Sequence, residues 1–217
     1  MRLQLSSRLP LLAVAAALTA CAGEGDVDVG QAEAPLPEGV YGQAPAAQSG
    51  VRSVVLLWPA DLSAAPAPAR ETPLIDQFGL VFSPERLIVS PGETMSFANS
   101  ESALSHNVQV WPVGAEIPIL DSDALPEDVI DFVLEPGGYD ILCDEHPGMR
   151  AFVFATDAPW AVFAEEDGAF ELGVVPEGPY RIGTWTIDEG FSEPIEIDVT
   201  SVRTGVDLSP SGDAAGA

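Results

Sequence analysis

The alternation of apolar and polar positions predicts short β-strands over most of this chain. In "RLIVSPGETMSFAN", residues 86–99, apolar side chains recur at every second position on both sides of a Pro-Gly turn, which is typical of a half-buried hairpin. Similar runs flank "EPGG" at 135–138, and Asp167-Gly168 is a strong hairpin-turn signal. No stretch beyond residue 20 has the period of an amphipathic helix. We therefore expect an all-β protein.

Changes in local composition divide the chain into segments. A β-branched run at 54–57 suits a buried strand and is followed by an Ala/Pro-rich loop. Short strands separated by Ser-Pro, Pro-Gly and Asn-Ser turns come next, and then a series of hairpins. The predicted segments are 38–70, 71–156, 157–208 and a disordered tail, 209–217.

The N-terminus has the features of an export signal. Arg2 and Arg8 precede an apolar run, Leu9 to Ala17, which is too short to span a bilayer. The run ends in "LTAC", which resembles the lipobox of bacterial lipoproteins. This resemblance implies that residues 1–20 are removed and that Cys21 is lipidated. The alternative is ordinary cleavage nearby without a lipid.

A lipidated Cys21 would place the protein outside the cytoplasm. The acidic, Pro-containing residues 21–37 would form a flexible tether from a bacterial membrane to the folded part, in the periplasm or on the cell surface. Cys143 would then be the only thiol, because the chain has two cysteines. A free thiol in an oxidising compartment is prone to oxidation, so its presence favours a metal ligand.

The charge excludes one class of partner. The chain carries 34 acidic residues against 8 arginines and no lysine, a net charge of −26. Such a surface repels DNA and RNA, so we expect no nucleic-acid partner. The acidic groups could steer a basic redox partner, or they could serve only to solvate the surface.

The segment "CDEHPGM", 143–149, places three metal-binding side-chain types between two predicted strands. Cys143, His146 and Met149 offer a thiolate, an imidazole and a thioether, a set that selects copper. The only other histidine is His106. Two imidazoles and a thiolate with a weak axial methionine match a blue-copper site, whereas zinc disfavours a thioether. Alternatively, each side chain could have an ordinary packing or turn role.

Two stretches resemble the cupredoxin family. "GGYDILCDEHPGMRAFVFA" is similar to its C-terminal ligand loop, with the spacing of amicyanin-type and methylamine-utilisation-type members, and "IVSPGETMSFANSESALSHNV" is similar to the strands before its first histidine ligand. The resemblance implies a Greek-key sandwich over 71–156 with one type 1 copper. It assigns the ligands His106, Cys143, His146 and Met149, and it places Asn107 where hydrogen bonds tie the two ligand loops together.

The flanking stretches resemble a second family. "EGVYGQAPAAQSGVRSVVLLWPA" and "PWAVFAEEDGAFELGVVPEGPYRIGTW" are similar to the carboxypeptidase regulatory-like β-sandwich. This resemblance implies a small sandwich formed by residues 38–70 and 157–208, into which the cupredoxin domain is inserted. The alternative is two adjacent, consecutive domains.

These patterns lead to an expected function. We expect a membrane-tethered protein that transfers single electrons between extracytoplasmic redox partners, such as a c-type cytochrome. We expect no small-molecule substrate and no enzymatic activity, since copper enzymes need further histidines and this chain has two. The alternative is a non-redox copper carrier, or a binding or scaffold module with a structural metal.

Overall fold

The computed structural model describes residues 39–210. The predicted signal peptide, Cys21 and the tether lie outside the described residues, as do residues 211–217 of the predicted tail. The seventeen strands in the described part are β1 Val40–Gln43, β2 Val54–Pro59, β3 Leu74–Phe78, β4 Val81–Ser83, β5 Arg86–Val89, β6 Thr94–Asn99, β7 His106–Pro112, β8 Leu120–Ala124, β9 Val129–Val133, β10 Gly137–Leu142, β11 Arg150–Ala155, β12 Trp160–Phe163, β13 Ala169–Leu172, β14 Gly178–Thr186, β15 Gly190–Phe191, β16 Ile195–Val199 and β17 Thr204–Asp207.

The prediction of an all-β fold is confirmed. The predicted hairpins at Pro91-Gly92 and Asp167-Gly168 are wrong, because β5 and β6 belong to different sheets, as do β12 and β13. The only helical element among residues 39–210 is a three-residue 3₁₀ turn, Leu62–Ala64. No helix in this part of the chain is long and apolar enough to cross a membrane.

Strands β3 to β11 form two facing sheets, which we call the central sandwich. The sheets have the strand orders β4-β3-β6-β9 and β5-β11-β10-β7-β8. Their inward side chains share one apolar core. In β6, Met95 and Phe97 are fully buried while Thr94 is exposed, because successive side chains of a strand point to opposite faces.

The remaining strands form two further sheets, which we call the terminal sandwich. Their orders are β13-β1-β17 and β12-β2-β14-β15, and β16 also pairs with β14. Strand β2 lies between β12 and β14, and the residues it pairs with all follow it by more than a hundred positions in the chain. Val40, Leu57 and Ile182 lie in the common core of these sheets.

A third apolar cluster joins the two sandwiches. Phe152 and Phe154 project from the outer face of β11, and Trp185 of β14 packs on both, with ring centroids 5.6 Å and 5.0 Å away. Gly138 allows this close packing, because a Cβ there would lie 2.9 Å from atoms of Phe152 and Trp185. The central sandwich is therefore covered on this face by the terminal sandwich.

Strands β10 and β11 support the loop that carries the predicted ligands. They pair antiparallel from Gly137↔Ala155 to Leu142↔Arg150. The Tyr139 hydroxyl donates a 2.8 Å hydrogen bond to the Glu135 carbonyl and anchors the start of β10. Burial raises the pKa of this phenol. The hairpin thus fixes where residues 143–149 leave and re-enter the sheet.

Candidate metal centre

The structure brings three of the predicted ligands together. His106, Cys143 and His146 each offer a donor atom, and these atoms all lie within 4.8 Å of one another. The Nδ1 atoms of the two histidines are 3.0 Å apart, and Cys143 Sγ lies 3.8 Å from His146 Nδ1. This is the only group of three or more His, Cys, Asp or Glu donors at such distances in residues 39–210.

His106 is positioned by the start of β7. It is fully buried and lies opposite Ala124 of β8. The loop before it is held by Asn99, whose side-chain Nδ2 donates to the carbonyls of Leu104 and Ala124 at 2.9 Å each. The Asn99 Oδ1 accepts a 3.0 Å bond from the Glu101 N–H. The Asn99 side chain therefore holds both the loop that precedes His106 and the residue that lies opposite His106 on β8.

The segment from Cys143 to Met149 closes on itself. The Met149 N–H donates to the His146 carbonyl at 3.1 Å, and the Cys143 N–H donates to the Met149 carbonyl at 3.4 Å. Gly148 has a φ of 104°, in the left-handed region that favours glycine. These contacts form a tight loop with the ends of two strands at its base.

Burial differs among the side chains of this loop. Cys143 is 4% exposed and Met149 is 3% exposed, and both belong to the central core. His146 is half-buried. The thiol therefore lies in an apolar, water-poor environment, and His146 is the member of the three-donor group with the most access to solvent.

Asn107 links the two ligand-bearing segments. Its Oδ1 accepts a 2.8 Å hydrogen bond from the Asp144 N–H, directly after Cys143, and its Nδ2 donates to Asp121 Oδ1 at 3.2 Å. The residue is 4% exposed. Because a backbone amide is fixed in direction, this bond sets the position of the loop relative to β7.

Gln109 also contacts the loop that carries Cys143 and His146, and the sequence analysis did not single it out. Its Nε2 donates to Asp144 Oδ2 at 3.2 Å, and its Oε1 accepts from Trp111 Nε1 at 3.2 Å. The polar residues Asn107 and Gln109 alternate with Val108 and Val110 along β7. This alternation was a signal in the sequence, since residues two apart lie on one face of a strand.

The electrostatic surroundings favour neutral His106. Burial lowers the pKa of His106 below its ordinary value, and His146 lowers it further, whereas Glu101 and Glu145 act in the opposite direction. A metal binds the neutral imidazole, whose ring nitrogen has a free lone pair. His106 is therefore held in the protonation state that a ligand requires.

The comparisons with known proteins gave matches only among solved structures. No protein-family model and no curated protein matches the chain. A purple cupredoxin from Nitrosopumilus maritimus is 24% identical, with a TM-score of 0.34, over 38% of this chain and 98% of its own. A Cu(I) form of an amicyanin mutant is 24% identical over 42% and 95%, with a TM-score of 0.34. A reduced Cu(I) form of another amicyanin mutant at pH 4 is 27% identical over 41% and 85%, with a TM-score of 0.35.

The donor set fits a soft or borderline metal ion. A thiolate and two imidazoles are the ligand types that copper and zinc accept, and the three donor atoms lie within 4.8 Å of one another. His106 Nδ1 faces this group, and its other ring nitrogen, Nε2, is buried with no hydrogen-bond partner in the described part of the chain. The three donor atoms are therefore close enough together to bind one metal ion.

Proposed function

We propose that the protein binds one copper ion in a type 1 site and transfers single electrons between extracytoplasmic redox proteins. The observation that carries the proposal is the convergence of His106, Cys143 and His146 within 4.8 Å in a largely buried position. Met149 is proposed as the weak axial ligand, since it closes the same loop. The partner is proposed to be a basic protein such as a c-type cytochrome, attracted by the net charge of −26.

Donor chemistry favours copper over zinc at this site. Zinc sites combine thiolate and imidazole with carboxylate or further thiolate. No carboxylate belongs to the three-donor group found in residues 39–210, and the neighbouring Asp144 carboxylate accepts a bond from Gln109 instead. Together with the thioether of Met149, this donor set matches the ligands typical of blue copper.

The residues of the chain would hold the site in one geometry. Copper bound there would supply a one-electron redox couple. Asn107 and Asn99 fix the two ligand-bearing segments by hydrogen bonds to backbone groups, so little structural rearrangement is expected between oxidation states. The buried surroundings of Cys143 and His106 exclude water from the thiolate and the imidazole. Half-buried His146 is the proposed route for electrons to and from a docked partner.

A copper titration tests the proposal. The purified protein with added Cu(II) is expected to show an intense visible band from thiolate-to-copper charge transfer, together with a reversible one-electron potential. The Cys143→Ser variant removes the thiolate and should lose the band. Cys21→Ser removes the only other cysteine and should retain it.

Two outcomes would contradict this function. Copper uptake without a thiolate charge-transfer band would show that Cys143 does not bind the ion. A coloured protein with slow electron self-exchange that passes its copper to a chelating acceptor would instead be a copper carrier.

We also propose that Cys21 is lipidated, which would tether the protein to a bacterial membrane on its extracytoplasmic side. The proposal rests on the "LTAC" signal at 18–21.

A further inference from the structure

A cavity of about 200 Å³ lies between residues of the two sandwiches. Arg86 and Arg150, from β5 and β11, line it on the side of the central sandwich, and Arg52, which precedes β2, lines it on the other. Phe152 and Phe163 supply apolar wall. Neither His106 nor Cys143 lines this cavity, so it is separate from the candidate metal centre.

The lining of this cavity is rich in arginine compared with the rest of the chain. Residues 39–210 contain six arginines, the chain has no lysine and its net charge is −26, yet three of the six arginines line this one cavity. Glu85 is the only carboxylate in the lining. The wall itself therefore presents three guanidinium groups and one carboxylate, and guanidinium N–H groups are donors suited to an anionic ligand.

The other carboxylates that pair with these arginines approach from outside the lining. Arg52 Nη1 lies 2.8 Å from Glu165 Oε2, whose side chain is 68% exposed, and Arg52 Nη2 lies 3.9 Å from Glu166 Oε1. Arg150 Nε donates to Asp140 Oδ1 at 2.8 Å. Neither Glu165 nor Asp140 lines the cavity. Arg86 has only a long contact, 3.9 Å, with Glu85. Because a guanidinium carries five N–H donors, each of the three retains donors for a ligand.

We propose that this cavity binds a small oxyanion with two negative charges, either inorganic phosphate or a short dicarboxylate. Guanidinium groups bind both through paired N–H···O hydrogen bonds. The volume of about 200 Å³ suits a small ligand, since drug-sized ligands occupy cavities of roughly 300–1,000 Å³. The alternative role, ion pairing alone, does not require three arginines around one cavity.

Titration of the copper-free protein tests the site. Phosphate and succinate are added separately, and binding is followed by calorimetry and by backbone amide chemical shifts. The expected shifts cluster at Gly50, Val51 and Ala151, which line the cavity. Arg86→Gln and Arg150→Gln should each weaken binding by about tenfold or more, since each removes a charge-assisted hydrogen bond.

Arg203→Gln is the matched control. Arg203 pairs with Glu171 at 2.9 Å outside the cavity, so its loss should leave the affinity unchanged while removing the same charge. Circular dichroism shows whether each variant is folded. If one cavity variant fails to fold, the other variant and the amide shifts of the wild-type protein still test the proposal.

The outcomes separate the ligand sources and the two proposals. Binding of phosphate alone, of succinate alone or of both shows which kind of anion the cavity accepts. The proposal is overturned if neither anion shifts the cavity amides at millimolar concentration, if acetate binds as tightly as both dianions, or if Arg203→Gln weakens binding equally. Cys143→Ser protein should bind the anion normally, so failure here is distinct from failure of the copper site.

Discussion

Asn107 joins the two ligand-bearing segments through a single side chain. Replacing it with leucine keeps the approximate volume but leaves the Asp144 N–H without the acceptor that now lies 2.8 Å away. An amide that loses its partner in a poorly hydrated site costs about 1–3 kcal/mol. We therefore expect Asn107→Leu to lower the free energy of unfolding by that amount, measured by urea denaturation of the copper-free protein.

Gln109→Leu is the control for this prediction. Gln109 also bonds to Asp144, but it contacts the carboxylate in an exposed position. Substitutions at exposed hydrogen bonds usually change stability by less than about 0.5 kcal/mol. Equal losses in the two variants would show that Asn107 has no special role in holding the loop.

The identity of the donors could be predicted from the sequence, but their supports could not all be. His106, Cys143 and His146 stand out because the chain contains only two histidines and two cysteines, and the structure places all three within 4.8 Å. The role of Asn99 depends on Ala124 of β8. Asn99 and Ala124 are 25 positions apart in the chain, so no local pattern in the sequence could show that they meet.

Strands β2 and β11 are buried on both faces, and this explains their continuous apolar sequences. In β11, Ala151 and Val153 face the core of the central sandwich, and Phe152 and Phe154 face the third apolar cluster. In β2, Val55 and Leu57 face the core of the terminal sandwich, and Val54 and Leu56 face the third apolar cluster. A continuous apolar run predicts a buried strand. It does not identify the neighbour on either face, because that neighbour is distant in sequence.

In the third apolar cluster, one substitution is expected to have a large effect on stability. Phe154 is fully buried against Trp185, so Phe154→Ala should lower the free energy of unfolding by about 3–5 kcal/mol, as for other large-to-small core changes. Phe191→Ala is the matched control, because Phe191 is 61% exposed and its ring centroid lies 6.1 Å from that of Phe154. The control should lose under about 1 kcal/mol. If Phe154→Ala lost no more stability than Phe191→Ala in thermal or urea unfolding, the third apolar cluster would add little stability.

At the scale of the molecule, the third apolar cluster couples the two sandwiches. The chain enters the terminal sandwich at β1 and β2, forms the whole central sandwich, and returns at β12. Separating the sandwiches would expose Phe152, Phe154 and Trp185, which are each at most 6% exposed. Apolar area of this kind contributes about 25 cal/mol per Å² removed from water. Neither sandwich is therefore expected to open alone at low cost.

This coupling predicts one cooperative unfolding transition for the predicted segments 38–70, 71–156 and 157–208. Native-state hydrogen exchange should give the amides of β7, in the central sandwich, and of β14, in the terminal sandwich, the same opening free energy, since a single cooperative unit exposes all its amides together. Trp185→Ala removes the shared aromatic contact and should lower both values, or separate them. Different opening energies for β7 and β14 in the unmodified protein would contradict the coupling, because they would require one sandwich to unfold while the other stays intact.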